Sequence, residues 1–346
     1  MLRTQDVDPS HEQVEQRDRE LGRAAETPEQ LPRRAWLEVL SRTRLAMKRD
    51  QVPLMAAGTA FFGLLALVPA LVAIVSVYGL VAEPADVQRQ IDDLSTALPS
   101  SARALLDEQL TSIVSASSGG LGIALVVGVV AALWSASSGV GHLVEAINRA
   151  YGEEESRGPV ALKLRALGLT LGAIVFVVVS VGLIAVLPSI TDRLDLSGPV
   201  STALDLLRWP LLVLAFLSAV SVLYRVGPDR TPARWHWVGW GAGVATVLWV
   251  LASIGFSIYA TNFGSYNETY GSLAGVVILM FWLYLTALVV LLGAELNAEL
   301  ERQTVADTTV GEPNRLGRRG AVAADTVAPD RDGIAAGPSR LAERES

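Results

Sequence analysis

The sequence predicts an all-α membrane protein: a six-helix transmembrane bundle with an extracytoplasmic pair of amphipathic helices and disordered cytoplasmic tails. Two observations lead there. The chain of 346 residues is 51% hydrophobic and only 18% charged, with a mean hydropathy of +0.40, too apolar to cover a water-soluble protein of that size. Its charges are also segregated to the two ends and a few short gaps between long apolar runs. A helix needs roughly 20 apolar residues to cross a hydrocarbon core about 30 Å thick.

Residues 1–35 are polar, mixed in charge and interrupted by Pro28 and Pro32. Residues 303–346 are rich in Gly, Ala, Arg, Asp and Pro. Neither end shows an apolar period that would offset its ordering entropy, so both are expected to be disordered cytoplasmic tails. Between them, residues 36–302 form the transmembrane domain, with spans at about 52–80, 120–146, 162–188, 203–225, 236–260 and 272–298. The first apolar run starts near Val52, so it is expected to remain as an anchor and not to be cleaved as a leader. Pro69, in the middle of that span, is the expected helix break, because proline removes a backbone hydrogen bond and crowds the preceding turn.

Orientation follows from Lys and Arg. The N-terminal end, the gaps 147–165 and 225–235, and the C-terminal end carry 24 of them, against 4 in the alternate gaps. Positive charge favours the cytoplasmic side, which places both termini there. Segment 84–118 then lies outside. Its apolar residues Val87, Ile91, Leu94 and Leu98, then Leu105, Leu106, Leu110 and Ile113, recur at helical spacing, with Asp92, Asp93, Asp107 and Glu108 opposite. It reads as two amphipathic helices meeting at Pro99-Ser100, lying on the outer interface or capping the bundle. The loop 262–271, short and rich in hydrogen-bonding groups, closes the outer side.

Small residues mark packing faces. Ala124, Gly128, Ala132 and Ala136 recur every four residues, and Gly168 with Gly172 and Gly239 with Gly243 add two further pairs. Small faces let helix backbones approach closely in lipid. The stretch Ser135-Ala136-Ser137-Ser138-Gly139 can also loosen a helix and line a cavity. Trp235, Trp237 and Trp240, with His236, and Trp209 at the other side, read as an aromatic belt at headgroup level.

Three motifs then resemble the YihY/BrkB family. Ala56-Ala57-Gly58-Thr59-Ala60-Phe61-Phe62 followed by Leu67-Val68-Pro69 is similar to its first-span signature. Trp134-Ser135-Ala136-Ser137-Ser138 with Ala146-Ile147-Asn148-Arg149-Ala150-Tyr151 is similar to its second. Tyr270-Gly271-Ser272-Leu273-Ala274-Gly275, Trp282-Leu283-Tyr284 and Gly293-Ala294-Glu295-Leu296-Asn297 are similar to its last. The resemblance spans residues 40–303 and implies a six-span protein of the bacterial inner membrane. The family carries the labels "virulence factor BrkB" and "ribonuclease BN".

The residues speak against the second label. A metal-dependent nuclease needs clustered ligands around its ions, and the three histidines, His11, His142 and His236, share no ligand spacing. There is no cysteine, which removes thiolate metal sites, disulfides and thiol nucleophiles. No basic groove with interleaved aromatics is present to hold nucleic acid. No cofactor, no metal and no nucleic-acid partner are therefore expected, and the chain is read as not an enzyme.

Ionisable groups in membrane spans are functional candidates. His142, Glu145 and Glu295 lie near the cytoplasmic ends of the second and sixth spans, with Asn148 and Asn297 beside them. They read either as interfacial polar residues or as one cluster at a cytoplasmic mouth, with Glu145 facing Glu295. The middle of the bundle is nearly free of charge, which argues against ion coupling. Trp134, Ser135, Ser138, Trp282 and Tyr284 are the candidate cavity lining. The expectation is transport or translocation of a lipid or other amphiphile, with membrane lipids as partners and without ATP, since no phosphate-binding glycine loop is present. The alternative is a membrane scaffold for cell-envelope assembly.

Overall fold

A computed structural model describes residues 16–81, 122–186, 199–262 and 272–329. Helix α1 (Arg33–Arg49) precedes α2 (Val52–Val81), α3 (Gly122–Tyr151) and α4 (Pro159–Val181), which a π-type turn extends over Gly182–Val186. Then follow α5 (Pro199–Val226), α6 (Trp235–Asn262), α7 (Ser272–Glu301) and the short α8 (Val322–Asp325). The six apolar runs fall on α2 to α7. Among the described residues, five helices are long and apolar enough to cross a membrane, or up to six if the bent pair α1–α2 is counted as one span. The expected external helices at 84–118 and most of the loop 262–271 lie outside the described residues.

The outward faces are apolar. Val175, Val177, Val178, Val179 and Val181 of α4 are all exposed, as are Leu206, Leu207, Leu211 and Leu214 of α5. Water would not tolerate so much contiguous apolar surface, and lipid accepts it. The chain is a multi-pass membrane protein.

Helix ends obey local rules. Pro159 opens α4, where its missing N–H costs nothing. Gly152, at φ 76°, stops α3. Its N–H donates to Arg149 O and the Glu153 N–H to Asn148 O, the paired bonds of a Schellman cap. The break expected at Pro69 is not there: α2 runs through Pro69 without interruption. The chain bends instead at Asp50–Gln51, where α1 and α2 meet at 61° and Gln51 takes a φ of 52°. A proline inside a membrane helix is tolerated when neighbours satisfy the freed backbone.

Helix α7 is the centre of the bundle, touching α1, α2, α3, α6 and α8. The glycines that let helices meet differ from those expected. A Cβ at Gly168, Gly172, Gly239 or Gly243 would meet nothing within 4 Å, whereas one at Gly241 would collide with Gly293 O and Asn297. Gly139 likewise faces Ala66 and Phe62 O of α2. The α6–α7 contact is thus made by the glycine between the expected pair.

The tightest packing lies at one end, here termed basal, where the two terminal segments meet. Ile147, Tyr151, Tyr224, Trp237, Leu291, Leu296 and Leu300 are almost fully buried there. Trp237 therefore belongs to the core and not to an interfacial belt, while Trp209, Trp235 and Trp240 remain exposed. The expectation of disorder fails for residues 16–35 and 303–329. Leu21, Leu31, Ala323, Ala324 and Ala328 are buried. The Arg23 guanidinium donates to Gln303 O (3.3 Å) and Ala328 O (2.6 Å). Each tail is too polar to fold alone, but the two satisfy one another's backbone against the end of α7.

Candidate functional site

The polar half of the site hangs on the last three turns of α7. The spacing of Glu295, Glu299 and Arg302 puts them on one stripe, and Asn297 with Glu301 on another. Asn297 fastens α7 to α6: its Oδ1 accepts from the Gly241 N–H (2.8 Å) and its Nδ2 donates to Val238 O (3.1 Å). Tyr224 of α5 adds a hydroxyl bond to Val290 O. One turn beyond Asn297, Glu301 takes a bidentate bond from Arg230 (3.0 and 2.6 Å) and another from the Thr308 hydroxyl (2.6 Å). Arg230 also lies over the Tyr151 ring. On the opposite stripe Glu299 receives Arg42 of α1 and Arg302, each at 2.8 Å.

Glu295 differs from all of these. It is fully buried, and neither carboxylate oxygen has a hydrogen-bond partner among the described residues. Arg49, Asp50, Glu299 and Arg302 are the charged groups around it.

Asn148 joins two loops. Its Nδ2 donates to Glu155 (2.8 Å) and its Oδ1 accepts the Asp229 N–H (2.7 Å). Arg157 bridges the same pair, bonded to Glu155 and 3.4 Å from Asp229. The hydrogen bond from Arg157 chiefly holds the Glu155 carboxyl below its ordinary value. Burial raises Asp229, but hydrogen bonds from Ser156 together with Arg157 outweigh it and leave the group lowered. Glu153 goes the other way, raised because burial penalises its charge.

The structure therefore divides the expected mouth cluster. Glu295, Asn297 and Asn148 are buried at the basal end. Glu145 is not with them: its side chain is 77% exposed, and its nearby base is His142, at 3.6 Å. His142 stacks on Phe62 of α2 at 3.8 Å. Residue 145 lies between Val144 and Ala146, both buried, so the helix rotation that buries these turns the carboxylate outward. The residues missed were Arg230, Glu301, Glu299, Arg302 and Arg42. Arg230 lies in the gap 225–235 and the others on α1 or at the end of α7; their signal was the mixture of acids and arginines at those helix ends.

The apolar half of the site is a cavity of about 320 Å³ between α2, α3, α4 and α7. Its walls include Thr59, Gly63, Gly139, Thr170, Thr286 and Val290, and none of its lining residues is charged. Val177 both lines it and is 43% exposed, so the cavity reaches the outer face of the bundle beside α4. None of the five expected lining residues borders it. Trp134, Ser135 and Ser138 sit on the exposed side of α3, where the Lys163 ammonium lies 4.8 Å from the Trp134 ring and 3.2 Å from the Ser138 hydroxyl. Trp282 meets Trp249 edge-on, and Tyr284 stacks with Phe281. The right helix was chosen and the wrong face: Ala136, Gly139, Val140 and Leu143 line the space.

Among the described residues, no three His, Asp or Glu come together as a metal-binding group.

Comparison with known proteins agrees with this architecture. A putative ribonuclease-like protein, YfkH, of Bacillus subtilis (strain 168) is 32% identical over 253 residues, covering 72% of this chain and 90% of its own length. A UPF0761 membrane protein of Tolumonas auensis is 43% identical over 100 residues, 29% of this chain and 33% of its own. UPF0761 membrane protein VV0203 of Vibrio vulnificus is 44% identical over 109 residues, 31% and 34% respectively. The last two matches thus span about a third of those relatives. No solved structure matches the chain. The model of the family described as virulence factor BrkB matches residues 44–316, from the end of α1 through α7 and into the C-terminal segment, and the chain belongs to that family.

Proposed function

We propose that this protein carries or translocates a lipid or other amphiphile across the bacterial inner membrane without ATP, with both termini in the cytoplasm. The observation behind this reading is the charge-free cavity at membrane depth that reaches the outer face of the bundle past Val177. An uncharged wall with a few threonine hydroxyls suits an acyl chain and rejects a bare ion, whose desolvation nothing there would offset. The buried basal network, with Asn297 clamped on α6 and Arg230 on Glu301, closes the other end. The basal surplus of Lys and Arg supports the cytoplasmic placement.

The test is movement of a fluorescent lipid between leaflets of liposomes containing the purified protein. The wild type is expected to accelerate it, and Gly63→Leu to abolish the gain. A Cβ at Gly63 meets nothing within 4 Å, so the leucine fills the cavity without a backbone clash. No movement above empty liposomes overturns the reading and leaves the scaffold alternative.

A further inference from the structure

We infer that α1 is an interfacial helix whose outward face docks on the anionic lipids of the leaflet at the basal end. The inward face is fixed by protein: Ala35, Val39, Thr43 and Ala46 are buried, and α1 packs on α7. The outward face presents Arg33, Arg34, Arg44, Lys48 and Arg49 together with Leu37, Leu40 and Leu45, exposed by 63%, 53% and 63%. The one acid of α1, Glu38, is buried, and two acids from outside the helix reach the face, Glu20 on Arg34 and Asp50 on Arg49, each at 2.7 Å. Arg33, Arg44 and Lys48 have no acidic partner among the described residues. Leucines interleaved with cations on one helix face match a headgroup layer, where the apolar groups sink and the long cationic side chains reach phosphate.

Geometry holds the helix at that level from both ends. Trp36, near its start, lies 5.0 Å from Trp240, an exposed aromatic at the basal start of α6. Its last residue leads through Asp50–Gln51 directly into α2, which enters the membrane at 61° to it. Seventeen residues span about 25 Å, so the helix runs between the basal ends of two membrane helices. Its continuity with α2 and its charge favour a lipid surface over a protein partner. The inference does not depend on what the cavity carries, and failure of the lipid-movement assay leaves it standing.

The chain has no cysteine, so single substitutions give unique labels. Leu37→Cys, Leu40→Cys and, as a solvent control in the exposed part of the C-terminal segment, Glu312→Cys would each carry an environment-sensitive dye. The full-length protein would sit in bilayers of phosphatidylcholine alone or mixed with phosphatidylglycerol. Headgroup-level nitroxide lipid is expected to quench the dyes at 37 and 40 but not at 312, and more strongly with phosphatidylglycerol present. The triple variant Arg33→Gln, Arg44→Gln, Lys48→Gln is expected to lose that dependence on composition. Quenching at 37 and 40 by aqueous iodide alone, in both bilayers, overturns the inference by showing a water-facing helix. Protection from both quenchers overturns it in favour of a protein partner. The comparison of bilayers on otherwise unaltered α1 decides the matter even if the triple variant does not fold.

Discussion

Arg230 and Glu301 have side chains 2% and 0% exposed, and each is the other's main compensation for lost hydration. Removing one leaves the other charged and buried, so Arg230→Ala should cost about 3–5 kcal/mol of stability. Glu145 is the opposite case. With its side chain in solvent or headgroups, Glu145→Gln should change stability by no more than about 0.5 kcal/mol. Denaturation of the two variants in detergent checks both, and equal losses would contradict this division of roles. The contrast also shows why the sequence led only part of the way. Composition and position sufficed to pick out Glu295, Asn297 and Asn148 as basal polar residues. Which side of a helix each one faces depends on rotation about the helix axis. On α3 both sides carry small residues, so Ser135 and Ser138 looked as suitable for a cavity as Ala136 and Gly139, and 100° of rotation separates right from wrong.

The all-α class and its five to six long apolar helices were legible because apolar length is a strong signal in a membrane protein. The site of the bend between α1 and α2 was not. Pro69 drew attention as the interior proline, yet the informative one is Pro53, second residue of α2, since proline favours the first turn of a helix. Gln51 just before it absorbs the bend at φ 52°. A left-handed residue with a Cβ carries roughly 1–2 kcal/mol of strain, and glycine carries none but loses more entropy on folding. Gln51→Gly should therefore be neutral or stabilising by up to about 1 kcal/mol. Gln51→Val, β-branched, should lower the melting temperature and loosen α1 from α7. If valine is tolerated as well as glycine, the bend is not held at this residue.

The basal cap joins parts of the chain far apart in sequence, which is why it read as two disordered tails. Each end lacks an apolar period of its own and takes hydrogen-bond partners from segments distant in sequence, as when the Gln303 side chain donates to Leu21 O (2.7 Å) and the Arg234 N–H to Thr308 O (2.9 Å). Such a cap should respond to acid through its carboxylates. Burial raises Asp307, but hydrogen bonds from Asn314 and Thr309, with Arg319 nearby, hold it below its ordinary 3.8. Asp229 and Glu155 are lowered too, from 3.8 and 4.5. A group whose folded value is lowered adds stability above its ordinary value and loses it as pH falls through the folded one. Glu153 has the reverse sign. Its folded value is raised above 4.5, so its ionisation weakens the cap as pH rises from its ordinary value through the raised one. Acidifying from neutrality should first tighten the cap slightly, as Glu153 takes up its proton, and then release it below about 4, as the three lowered carboxylates lose their charge. Amide hydrogen exchange across residues 303–329, followed against pH with intrinsic exchange rates divided out, reads this directly. Protection should peak at mildly acid pH and fall on either side. Glu153→Gln should remove the loss on the neutral side, and Asp307→Asn should weaken the cap at neutral pH and flatten its fall in acid. A flat profile from neutrality to pH 3 would show that the carboxylates do not hold the cap closed, leaving its apolar contacts and backbone bonds to do so.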